Sequence, residues 1–585
     1  MTKRIQIVLL ILTGIALFYP LIYAPLCSVD DSVLINRIFN APDYSFWDHF
    51  FNGGGTYYRP LLILTFYLDL WFSGMSTMSM HLENFLLHIL NAVLLFILIS
   101  RFHNDEVPFF RWLPFSTSLL FLVHPVTVET VAWISGRTDL LAVFFLLLSV
   151  ICLLPRENCA VSMPVTRLFF SALFYLCACL SKEVAVFFLP LGWMLLLPQD
   201  GKHILVFVRS KWRQILWRYS GVLLGGAVYF FMRHISMSGG DLGASKALVG
   251  VAGRVAEKGF ADALFVVFKV FGFYFKKFLW PWPLNFGING VPDIYFGLGC
   301  AAVLLVFVAL LRLNIATQFY LVGVAVLSSA FLVVFSKMTW TPIAERYLYV
   351  PILFWCPAII SIAALYFRKK ILITIFVVVG IVFAVSTLDR VRLWQDNLLL
   401  FRDTVEKSPT FFPAKNNLAI ALIKEGNTEE GYAIFEEHTP EESLKNKEYW
   451  VANRAKGLMA DGKWFEARRY LRDNYHEKND KSGILLKRLI DVQKIIVSES
   501  AEDTKRQERY ELIRLYELRK KRGERAFYAY IVGREYFRLG EQEQARASFE
   551  ESLSMSEDSD FFKQAAASFL KKLDQSAAVD SKSSQ

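Results

Sequence analysis

Long apolar runs fill the first two thirds of the chain and stop abruptly after residue 388. A helix that crosses a bilayer needs roughly 20 predominantly apolar residues. Runs that reach or approach this length cover residues 5–26, 81–101, 112–123, 128–154, 168–180, 184–197, 215–232, 294–311, 319–335, 347–367 and 371–388, which predicts about 11 crossings. The first run is too long for the core of a cleaved signal peptide and lacks a small-x-small cleavage site, so it reads as a retained anchor.

Beyond residue 390 charge becomes dense and a different period sets in. One unit reads Leu418, Ala419, Leu422, Gly426, Gly431, Phe435, and a second Ala455, Leu458, Gly462, Ala467, Leu471. The clearest reads Gly533, Tyr536, Gly540, Ala545, Phe549, Leu553. This is the spacing of tetratricopeptide-type helical hairpins, with small residues where the two helices approach and large ones between. Two helices with a poorer pattern are expected between residues 477 and 525, and the Ser- and Ala-rich tail reads as disordered. The predicted fold class is therefore all-α. A polytopic transmembrane helical bundle spans 1–390, a tetratricopeptide-like α-solenoid 391–575, and a disordered tail 576–585.

Composition agrees with this division. Of 585 residues, 55% are hydrophobic and only 20% charged, a balance that would leave a soluble protein with large exposed apolar patches. The surplus must face a lipid bilayer. The net charge of +10 raises the question of nucleic acid. Yet the basic excess sits in short clusters beside apolar runs, at Lys3 and Arg4, within 202–218, and at Arg368, Lys369 and Lys370. That is the positive-inside pattern. No basic stripe interleaves with aromatics outside the membrane part, so no nucleic-acid partner is expected. All seven cysteines lie before residue 390 without zinc spacing and read as small membrane-core residues.

The basic flanks set an orientation. With Lys3 and Arg4 inside, Asp30 and Asp31 fall outside, Arg101, Arg111, Arg312 and Arg368 inside, and everything after Asp389 outside. This requires residues 261–283 to lie in the interface rather than cross, with Lys276, Lys277, Trp280 and Trp282 as anchors. The unusual polar residues then gather on one side, in segments 27–80, 233–292 and 336–346 and in the turns at 124–127 and 181–183.

Several of these residues carry candidate chemistry. The adjacent carboxylates Asp30 and Asp31 repel, so one becomes proton-accepting near neutrality if partly buried. His81, Asn84, His88 and Asn91 fall on one stripe of a membrane helix, where interhelical hydrogen bonding outweighs a direct catalytic role. Glu129, Arg137 and Asp139 open a span next to His124, and at about 100° per residue Glu129, Trp133 and Gly136 share one face. Lys182 with Glu183 and Glu345 with Arg346 break apolar runs on the same side. Arg137, Lys182 and Arg346 together suggest an anion site, since such donors suit phosphate.

The motifs Tyr58-Arg59-Pro60-Leu61, the His81 stripe, His124-Pro125 through Glu129, Trp133 and Arg137-Thr138-Asp139, Ser181-Lys182-Glu183, Trp280-Pro281 and Glu345-Arg346-Tyr347 resemble one family. It is the transmembrane and tetratricopeptide-repeat O-mannosyltransferase family with its bacterial relatives, within the membrane-embedded C superfamily of glycosyltransferases. The resemblance implies a glycosyltransferase in a multi-pass membrane setting, a bacterial inner membrane, with the repeats on the periplasmic side. It also implies a polyprenyl-phosphate sugar, of mannose-like hexose type, as donor and Ser or Thr of a polypeptide, held by the repeats, as acceptor. Asp31 or Asp30 then matches the acid of the first external loop, and Arg137, Lys182 and Arg346 are candidates to hold the donor phosphate. Tyr58, Arg59, His81, His88, His124, Glu129, Asp139, Glu183 and Glu345 are supporting residues. No cofactor and no metal site is predicted. Two other classes compete: a non-catalytic membrane anchor displaying repeats, which leaves the tandem Asp unused, and a transporter, which would place its charges at the midplane and repeat its spans.

Overall fold

A computed structural model describes residues 2–27, 29, 31, 35, 57–102, 112–154, 163–197, 204–238, 251–257, 259–336, 341–437, 447–477, 480, 483–523, 525–556 and 562–583. Among them the structure is helical, apart from one isolated bridge between Ile288 and Ile343. Two compact units divide at Phe411 and Phe412. The membrane-type unit therefore continues past residue 390, through the end of one helix and the whole of the next.

In the first unit the helices are α1 Lys3–Phe18, α2 Pro60–Ser73, α3 Thr77–Ile99, α4 Leu113–Val123, α5 Thr127–Ala132, α6 Arg137–Leu153, α7 Val165–Ser181, α8 Ile204–Ser238, α9 Phe260–Leu279, α10 Tyr295–Leu311, α11 Ile315–Ser336, α12 Tyr349–Tyr366, α13 Lys369–Trp394 and α14 Asn397–Lys407. Seven stretches among the described residues are long and apolar enough to cross a membrane: Lys3–Tyr23, Thr77–Phe102, Ile134–Leu153, Phe207–Ser236, Ile315–Ser336, Glu345–Tyr366 and Lys369–Trp394. The helices α2, α4, α7 and α10 are apolar but shorter.

Three expectations change. The run 128–154 is not one helix. It breaks at Trp133, whose extended backbone (ψ 121°) joins α5 to a 3-10 turn at Ile134–Gly136 ahead of α6. Gly136 allows the fold-back, because a Cβ there would stand 2.3 Å from the Thr130 carbonyl oxygen. The run 184–197 is likewise no continuous helix but two 3-10 turns, Glu183–Phe188 and Gly192–Leu196, separated around Pro190, which cannot donate to a helical ladder. Finally, segment 27–80 contains an apolar helix, α2, started by Pro60 in its first turn and stopped by Gly74 in the left-handed conformation (φ 60°).

The second unit is a series of antiparallel hairpins: Phe412–Lys424 with Thr428–Glu436, Lys447–Ala460 with Trp464–Asn474, Ile484–Glu499 with Glu502–Arg522, and Arg525–Leu539 with Gln542–Met555. The repeat glycines explain the periodicity. Gly540 turns the last pair at φ 78°, and Gly533 faces Phe549 so closely that a Cβ would meet its ring at 2.8 Å. The third hairpin lacks these glycines, which is why its pattern reads poorly. A last helix, Lys563–Ser583, continues through most of the segment expected to be disordered. That stretch contains neither Gly nor Pro to stop the helix.

Candidate active site

Asp31 is buried, and among the described residues its carboxylate accepts three hydrogen bonds. The Cys27 amide donates to Oδ2 at 3.1 Å, and the Ser135 amide and hydroxyl donate to Oδ1 at 3.1 and 2.7 Å. The break at Trp133 is what presents Ser135 to it. Asp30 lies outside the described residues.

On the other side of the same turn the Arg346 guanidinium lies 4.8 Å from the Trp133 ring centroid and 5.0 Å from that of Tyr347. It pairs with Glu129 at 2.6 Å, while its backbone N–H donates to the other Glu129 oxygen and Nη2 donates to the Thr341 hydroxyl. Lys182 pairs with Asp139 and lies 6.0 Å from the same Tyr347 ring. Arg59 bonds Glu183 through Nε and Nη2, at 3.0 and 2.9 Å, and stacks on Tyr57. Glu345 is buried and accepts from Lys277 at 2.5 Å and from the Asn285 amide at 2.9 Å. Lys182, Arg346 and Arg59 thus gather around Tyr347 and Tyr57 with an acid beside each cation. Burial presses the Lys182 ammonium below its ordinary value; Asp139 opposes this and the Arg59 and Arg346 charges add to it. Burial would raise the Glu183 carboxyl, but the Arg59 guanidinium outweighs it and holds that carboxyl below the usual range.

Arg137 does not join this cluster. It is fully buried, and every one of its nitrogens is engaged: Nε with Asn84 at 3.0 Å, Nη1 with Asp69 at 2.6 Å and Glu83 at 3.1 Å, and Nη2 with the Met80 carbonyl at 3.2 Å. Its expected role on a donor phosphate conflicts with this internal role. Asp69 was not singled out in the sequence, although a lone acid within the apolar run 60–73 is the signal that marks such residues.

His88 and His124 are hydrogen-bonded inside the bundle. His88 donates from Nε2 to the Leu122 carbonyl at 3.2 Å, so Nδ1 accepts from the Tyr349 hydroxyl at 2.8 Å. Asn91 donates to the Leu140 carbonyl, and Asn84 to those of Val131 and Trp133. His124 bonds the Phe278 carbonyl at 3.0 Å and stacks on that ring. His81 is buried, and neither of its ring nitrogens has a hydrogen-bond partner among the described residues. Tyr58 is buried against Tyr229. Among the described residues no group of three or more His, Cys, Asp or Glu is arranged to hold a metal ion.

Comparison with known proteins gives partial matches. Protein O-mannosyl-transferase TMTC1 of Homo sapiens is 42% identical over 94 residues, 16% of this chain and 10% of that protein. Protein O-mannosyl-transferase F38B6.6 of Caenorhabditis elegans is 33% identical over 130 residues, 21% of this chain and 19% of the relative. Protein O-mannosyl-transferase TMTC2 of Mus musculus is 33% identical over 150 residues, 24% of this chain and 17% of the relative. The chain spans less than a fifth of the length of each of these curated relatives. No family model matches, and no solved structure does. Over these stretches the chain is similar to proteins named protein O-mannosyl-transferases.

Proposed function

We propose that this chain is a membrane glycosyltransferase that moves a hexose from a polyprenyl-phosphate donor to a Ser or Thr hydroxyl of a polypeptide, with inversion at the anomeric carbon. The observation that carries the reading is Asp31. A carboxylate buried at the end of the first span, oriented by three donors, stands one turn of chain from a cation cluster.

In this reading the Asp31 carboxylate takes the proton of the acceptor hydroxyl as its oxygen bonds to the anomeric carbon. The bond from that carbon to the phosphate oxygen breaks, and its electron pair leaves with the lipid phosphate. That group departs as an anion and needs positive charge rather than a proton. Lys182 and Arg346, with Arg59 beside them, supply it. Their acid partners keep the side chains fixed before the donor arrives. Arg137 acts one step back: with Asp69 and Asn84 it fixes the turn that carries Trp133 and Ser135. The repeats hold the acceptor, since concave helical surfaces suit extended peptides.

The test uses the full-length protein in lipid nanodiscs with polyprenyl-phosphate mannose and Ser/Thr peptides. Asp31→Asn should lower transfer by about 10²–10⁴-fold, the usual span for loss of a general base, with donor binding near wild type. Near-wild-type transfer by Asp31→Asn would move the base to Asp30 or to another acid.

A further inference from the structure

A second set of side chains beside Asp31 is unexplained by the chemistry above. Phe286 packs edge-on against Trp133 at 5.8 Å and Trp394 at 4.9 Å, with Phe401 at 6.2 Å. One turn before Trp394, on the same buried face of α13, lies Arg390, which pairs through Nη1 with Asp403 at 3.1 Å. Trp133, Arg390 and Trp394 are only 5%, 4% and 4% exposed. Yet the indole N–H of Trp133, the indole N–H of Trp394 and Nη2 of Arg390 have no acceptor among the described residues.

Buried indole N–H groups ordinarily find a partner, and each buried donor left unmade costs roughly 1–3 kcal/mol. Three in one neighbourhood mark a place shaped for something that brings acceptors. Its position is informative. Trp133 precedes by two residues the Ser135 that holds Asp31. Just beyond Trp394, the side chains of Gln395 and Asn397 donate to the carbonyls of Pro20 and Leu26, on the segment leading into Asp31. Both tryptophans therefore sit on segments anchored around the candidate base.

We propose that this cluster receives the hexose ring of the lipid-linked donor. All three orphan groups are donors and suit hydroxyl oxygens, while the aromatic walls suit the apolar C–H face of a sugar. Two of the three orphan donors are neutral indoles, so the cluster suits the hydroxyl oxygens of a polyol. The proposal rests on the donor reading given under the proposed function.

The experiment measures binding of two probes to the full-length protein in nanodiscs: polyprenyl-phosphate mannose and the same polyprenyl phosphate without sugar. Each competes against a fluorescent polyprenyl phosphate. Trp394→Phe keeps a six-membered aromatic ring and removes the five-membered ring with its N–H, and Arg390→Lys removes Nη2 while keeping one positive charge. Each should weaken the mannose lipid about tenfold and leave the bare lipid within about twofold. Equal weakening of both lipids would overturn the proposal in favour of a phosphate grip, and no weakening of either would mean that the donors meet only water. If one variant fails to fold, as thermal unfolding will show, the other gives the same reading. Failure of the wild type to prefer the sugar-bearing lipid would instead bring down the donor reading itself, and the subsite with it.

Discussion

Arg137 has four polar partners and no contact with solvent. A charge so enclosed is held by its counter-ion, and removing one member strands the other. Arg137→Ala should therefore destabilise the fold by about 3–5 kcal/mol, read as a lower unfolding temperature in detergent, with donor affinity falling only as folded protein is lost. A variant of unchanged thermal stability that no longer binds donor would return Arg137 to the phosphate. At this scale the sequence was readable where a charge interrupts a long apolar run, as Lys182 and Arg346 do. Asp69 went unread because its run is too short to register as a span. Trp133 and Trp394 carry no charge, and an unpartnered N–H leaves no trace in a pattern of hydrophobic and polar positions.

Among the elements, period and length were legible and interruptions were not. The helices α3, α12 and α13 fall where their apolar runs lie. Residues 128–154 read as one span because the apolar pattern continues through Trp133, while the break depends on a backbone approach between Gly136 and Thr130. That break also changes which residues meet: Glu129 and Trp133 still share a face of α5, where the Trp133 N–H bonds the Glu129 carbonyl, but Gly136 is carried away from it by the turn. In the second unit, the helix Lys447–Ala460 packs Lys456 near the Arg488 and Lys424 charges. Burial first, and then those two cations, lower the Lys456 ammonium from 10.5 to about 8. Between these values the unfolded chain binds more protons than the folded one, so the stability of this unit rises with pH across that window. Lys456→Met should accordingly be more resistant to urea than the wild type below about pH 8. The gap should close as pH approaches 10.5. Pulse proteolysis in urea at several pH values measures it, and a gap that does not vary with pH would show the ammonium to be as well hydrated folded as unfolded.

For the whole molecule, the all-α class was legible from the lengths of the apolar runs and the hairpin spacing, whereas the compact units divide at Phe411 rather than at residue 390. The number of crossings was less so, because a run such as 184–197 is apolar enough to span but folds as turns. Side assignment rests on the basic flanks, chiefly Arg368 before α13 and Lys370 in its first turn. Those flanks predict that the hairpin unit shares a side with Asp31. Ser552 is buried, so the suitable probe is its exposed neighbour: Ser554→Cys, with the seven native cysteines replaced, should react with an impermeant maleimide in intact cells. Reaction only after permeabilisation would put the hairpins inside and remove the acceptor reading.

The contact between Arg137 and Asp69 also bears on how the protein is made. The two residues are separated by 68 positions, and ribosomes add roughly 5–20 residues per second. For about 3–14 s the carboxylate of α2 has been synthesised and its counter-ion has not. Neither charge can be withdrawn from water alone without a cost of several kcal/mol, so α2 must wait at an aqueous surface until the chain through α6 has emerged. Closure of this part of the bundle is then set by the arrival of one guanidinium.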